Sequence, residues 1–91
     1  MIEPYVSKIR TNLKKVEGQM RLVDKMLEEK RYCIDVAQQV NAAQGLLKQV
    51  NNLILESHLL SCGTEQLATK DNNKRLAFVK ELIKSFNLTS K

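Results

Sequence analysis

Residues 33–62, CIDVAQQVNAAQGLLKQVNNLILESHLLSC, form an unbroken stretch of 30 residues with no proline and a single glycine. Val40, Leu47 and Ile54 make one heptad row, and Ala43, Val50 and Ser57 make its companion. Leu46, Leu53, Leu55, Leu59 and Leu60 widen the apolar surface beyond one stripe. A period of 3.5 to 3.6 residues over this length predicts one long helix. Apolar character over so much of its circumference makes it a central helix that packs on several neighbours. Asp35 suits the helix dipole in the first turn, and Gly63 stands where a C′ glycine ends a helix.

The flanking segments supply two of those neighbours. Ile9, Leu13, Val16, Met20, Val23 and Leu27 alternate steps of four and three, which predicts an amphipathic helix over 7–30 with Ser7 as N-cap. Gly18 interrupts it at about 1 kcal/mol relative to Ala, a cost that close approach of a neighbouring backbone would explain. Segment 63–71 reads as a connector. A third helix follows, capped by Asn72 or Asn73, with apolar positions Leu76, Val79, Leu82, Ile83 and Phe86. The expected fold is therefore all-α: one domain over 1–91, a three-helix protomer with a long central helix. Three glycines and one proline are too few turn formers for an all-β chain. A chain of 91 residues buries a modest core, and these helices expose too much apolar surface for a monomer.

Composition narrows the function. No apolar run reaches the length of a membrane span and no signal-peptide core opens the chain, which implies a cytoplasmic location and no membrane partner. In that compartment two cysteines serve as thiols or ligands rather than as a structural disulfide. The net charge is +5, concentrated in SKIRTNLKK (7–15) and in the C-terminal part, whereas 33–62 holds only Asp35, Lys48 and Glu56 as charged residues. A basic face implies a polyanionic partner such as DNA. The chain carries no Ser/His/acid set, paired-carboxylate cleft or phosphate loop, so neither an enzyme nor a small-molecule substrate is expected.

His58 and Cys62, four residues apart, share one helix face with Cβ atoms about 5–6 Å apart, close enough to hold one ion. Cys33 is the remaining candidate ligand. On a continuous helix the 25 steps from Cys33 to His58 span about 37 Å. They cannot meet within one chain, nor can Cys33 and Cys62 form an intrachain disulfide. Antiparallel pairing of the helix with its copy brings Cys33 of one subunit beside His58 and Cys62 of the other, giving an isologous dimer with two equal sites. Two thiolates and one imidazole suit a soft ion of low coordination number, and Cu(I) fits better than four-coordinate zinc or nitrogen-rich nickel.

These residues also carry a resemblance. KKVEGQMRLVDKMLEE, YCIDVAQQV and ILESHLLSC together resemble the CsoR family of bacterial metal-sensing repressors, from residue 7 to about 88. The resemblance implies an all-helical dimer of dimers in which Cu(I), held by Cys33 and the partner's His58 and Cys62, releases operator DNA. Cys33, His58 and Cys62 together match the copper-sensing branch; the nickel and cobalt, formaldehyde and persulfide branches differ at these positions. Tyr32 matches a residue that supports the copper ligands, and Glu81 is the available counterpart of a supporting glutamate.

Two departures concern DNA. Asn12 stands in NLKKVEGQ where the family pattern has an arginine implicated in operator binding, and Gln44 replaces another basic residue. Lys8, Arg10, Lys14, Lys15 and Lys48 are the basic residues left for that face. Two further functions therefore compete with the repressor: a Cu(I) buffer or chaperone that has lost DNA binding, and a persulfide or dithiol sensor pairing Cys33 with Cys62. His58 argues against the second, since sulfur chemistry needs no imidazole ligand.

Overall fold

The computed structural model describes residues 1–61 and 63–86. Four helices follow one another: α1 (Tyr5–Glu28), α2 (Cys33–Ser61), α3 (Gly63–Ala68) and α4 (Asn72–Phe86), with no strand among the described residues. The expected all-α class is found, with one addition to the three-helix reading. The connector after α2 contains the single-turn helix α3.

α1 and α2 form an antiparallel hairpin, the main packing contact of the chain. Its seam is rotated from the one that simple periodicity suggests. Ile9 and Met26 are buried and Val16 and Val23 half-buried, while Leu13, Met20 and Leu27 face outward, Leu27 at 61% exposure. The hairpin thus uses the 9/16/23 row with its 12/19/26 flank and leaves the 13/20/27 flank uncovered. On α2 the buried row is Ala43, Val50 and Ser57, and Leu47 is exposed. Burying a Leu or Met side chain stabilises by about 1.5–3 kcal/mol, so the uncovered rows leave several such contributions unrealised in one protomer. The protomer is flat, with extents of 59 × 29 × 12 Å.

The helix ends differ from expectation in ways that have local causes. α1 begins at Tyr5, so Ser7 lies inside its first turn; its N–H and Oγ both donate to the Glu3 carboxylate, at 3.1 and 2.8 Å. Glu3 therefore caps the helix with charge of the sign the dipole favours. At the other end Lys30 adopts φ 55°, with the N–H of Lys30 donating to the Leu27 carbonyl and that of Arg31 to the Met26 carbonyl, a Schellman closure. α4 is capped by Asp71 rather than by Asn72 or Asn73: its Oδ1 accepts from the N–H groups of Asn73 and Lys74. Gly63 follows the end of α2 as expected, but it is buried, opens α3 and has no positive φ, so it does not make a left-handed helix stop. A Cβ there would meet the His58 carbonyl oxygen and Phe78 Cζ at 3.1 Å, and this close approach is what favours glycine. Gly18, by contrast, has nothing within 4 Å in the protomer, so the close backbone expected there is absent within one chain. On α4 the buried residues are Phe78 and Leu82, and Leu76, expected to face inward, is 52% exposed.

Candidate metal centre

α2 sets the spacing of the site. Cys33 is its first residue, an exposed free thiol, and His58 lies in its last turn. The helix is continuous between them, so about 37 Å of helix separates the two side chains. No group of three His, Cys, Asp or Glu side chains comes together among the described residues. Cys62 lies outside the described residues. Tyr32, immediately before α2, is exposed at the Cys33 end, and its carbonyl accepts the Val36 N–H.

The His58 end is the more structured one. The imidazole is half-buried and leans on the Phe78 ring of α4, with centroids 5.6 Å apart and planes at 40°. It lines a cleft of about 290 Å³ with Met1, Ile54, Ser61, Glu81 and Phe86 among its walls. Glu81 and His58 are thus brought to one cavity from different helices. Beneath them Ser57 is fully buried, and its Oγ accepts the Ile2 N–H at 3.1 Å, which pins the start of the chain beside the end of α2. Desolvation, followed by the negative charge of Glu56 and its capacity to accept from the phenol, pushes Tyr5 above the ordinary value. Sequence reasoning missed Phe78, Ser57 and Met1 as neighbours of His58. Phe78 precedes Leu82 by four residues, a spacing that signals a shared face.

The basic residues stay on the surface. Lys8, Arg10, Lys14, Lys15 and Lys48 are all exposed, and the one ion pair among the described residues joins Arg31 to Glu29. Asn12 is half-buried and its Nδ2 donates to Gln49 Oε1 at 3.0 Å, tying α1 to α2, while Gln44 is exposed. Lys8 shares a cleft of about 350 Å³ with that amide pair.

A helical hairpin with a free thiol at one end of a long helix, an imidazole in its last turn and basic charge along its faces has the make-up of a metal-responsive regulator. The chain belongs to the metal-sensitive transcriptional repressor family, whose model matches residues 5–87. It is 32% identical over 78 residues to the copper-sensing transcriptional repressor CsoR of Bacillus subtilis (strain 168), covering 86% of this chain and 77% of that protein. It is 43% identical over 56 residues to the copper-sensing transcriptional repressor RicR of Mycobacterium tuberculosis, covering 62% of this chain and 58% of the relative. Its fold superposes with a TM-score of 0.75 on the crystal structure of the copper-sensing repressor CsoR with Cu(I) from Geobacillus thermodenitrificans, at 34% identity, covering 96% of this chain and 91% of that one. Among the described residues no helix is long and apolar enough to cross a membrane.

Proposed function

We propose that this chain is a copper-responsive transcriptional repressor that acts as a single-domain subunit of a dimer of dimers. Each Cu(I) is held by Cys33 of one protomer together with His58 and Cys62 of the partner subunit. The observation that carries this reading is the placement of Cys33 and His58 at opposite ends of one continuous helix. Each end is an incomplete site, and antiparallel pairing of two copies completes both at once. The uncovered apolar rows of the hairpin supply a surface for that pairing. The buried Gln19 Oε1 has no hydrogen-bond partner within the protomer, and a donor from a second copy would answer it.

The donor set fits the ion. Thiolate sulfur selects soft metals, and an imidazole with two thiolates gives the low coordination number that Cu(I) accepts. Bound Cu(I) would cross-link two helix ends across the dimer. Phe78 limits the tilt of the His58 ring, Glu81 offers a carboxylate in the same cleft, and Tyr32 flanks Cys33. Repression then follows from linkage: Cu(I) must bind the form that releases DNA more tightly than the form that holds it. Lys8, Arg10, Lys14, Lys15 and Lys48 provide the charge for phosphate contacts. Asn12, committed to Gln49, adds none. The relatives and the structural neighbour are described as copper-sensing repressors, which favours this reading over a DNA-free buffer or a persulfide sensor.

Fluorescence anisotropy on DNA from upstream of the protein's own gene tests it. The apo protein is expected to bind, and one Cu(I) per protomer to weaken binding by about 5- to 150-fold. Absence of apo affinity at moderate salt would refute the repressor.

A further inference from the structure

We propose that the thioether of Met1 is a further donor to the soft ion held at His58. This rests on the Cu(I) reading above and adds a residue to it.

Position comes first. Met1 lines the same cleft of about 290 Å³ as His58, and no other sulfur lines it among the described residues. The residue next to it is fastened on both sides. The Ile2 N–H donates to the fully buried Ser57 Oγ, one residue before His58, and the Ile2 carbonyl accepts from the N–H groups of Tyr5 and Val6 at 3.0 and 3.2 Å. Met1 is therefore delivered to the His58 end of α2 by a fixed backbone, although its side chain is 68% exposed.

Chemistry distinguishes it from the other walls. The Ser61 hydroxyl and the Glu81 carboxylate are hard oxygen donors that a monovalent soft ion binds poorly, whereas a thioether matches Cu(I). A thioether needs no deprotonation to bind a metal. Leucine has nearly the same bulk, so Met1→Leu retains the apolar cover and removes only the sulfur.

The test uses the full chain with selenomethionine at its methionines, loaded with Cu(I) and read at the selenium absorption edge. The expected result is copper backscatter from selenium that disappears in Met1→Leu, prepared behind a removable tag. In chelator competition Met1→Leu is expected to bind Cu(I) about tenfold more weakly than the parent. Ser57→Ala, which unfastens Ile2, is expected to weaken binding in the same direction. Copper-loaded protein without Cu–Se scattering, or with scattering that persists in Met1→Leu, overturns the role of Met1 alone. Failure of the parent chain to take Cu(I) from the chelator overturns the metal reading and this proposal together.

Discussion

His58 on α2 and Phe78 on α4 are in ring contact, 5.6 Å between centroids, and Gly63 sits in the corner between them, where a Cβ would meet the His58 carbonyl oxygen and Phe78 Cζ at 3.1 Å. α4 thereby braces the His58 end of α2. Gly63→Ala would gain about 1 kcal/mol of helix propensity but force the added methyl against the His58 carbonyl and the Phe78 ring, an overpacking cost of about 1–3 kcal/mol. The His58 carbonyl belongs to the α2 backbone and yields less readily than a side-chain tip, so the expected outcome is a net loss of about 1 kcal/mol in urea unfolding. Cu(I) affinity should fall with it, because the imidazole loses its wall.

Lys30 closes α1 in the left-handed region, where a side chain costs about 1–2 kcal/mol and glycine none. Lys30→Gly keeps both Schellman hydrogen bonds and is expected to raise stability by about 1 kcal/mol, read as a higher urea midpoint with an unchanged slope. Lys30→Val, β-branched at the same φ, should move the midpoint the other way.

The phenol of Tyr5 is raised above its ordinary value near 10 by desolvation, by the Glu56 charge and by the capacity of Glu56 to accept from it. The sign follows from linkage. The neutral phenol is favoured in the folded state, so its contribution is complete below the unfolded value and is lost as pH rises through the folded one. Stability of the parent should therefore decline above about pH 10 more steeply than that of Tyr5→Phe. Parallel slopes for the two proteins in that range would show that Tyr5 makes no such contribution.

Much of this was legible in the sequence because helix period and helix length are local properties. The 33–62 stretch announced one long helix, and its length alone separated Cys33 from His58. The hairpin seam was less legible. The 13/20/27 flank on α1 is apolar at every position and the 12/19/26 flank only at Met26, yet Met26 is buried and Leu27 exposed, a choice made by tertiary packing that no local period records. Gly63 resembled a helix stop because a glycine after a helix usually is one, whereas its reason here is the tertiary contact with Phe78. Asn12 looked like a missing charge, and its partner Gln49 lies 37 positions away, beyond the reach of any local pattern. The α3 turn escaped because six residues are too few to show a period.

Subunit mixing decides whether each copper site is shared by two protomers. Cys33→Ala and His58→Ala chains are each expected to lose tight Cu(I) binding, since each homodimer has two damaged sites. Refolded together in equal amounts, they form mixed dimers with one intact and one empty site, restoring about a quarter of the parental sites under random pairing. Recovery of that fraction, measured by chelator competition, is the predicted result. No recovery in dimers shown to be mixed, or tight binding retained by the Cys33→Ala homodimer, would contradict a site built across the subunit interface.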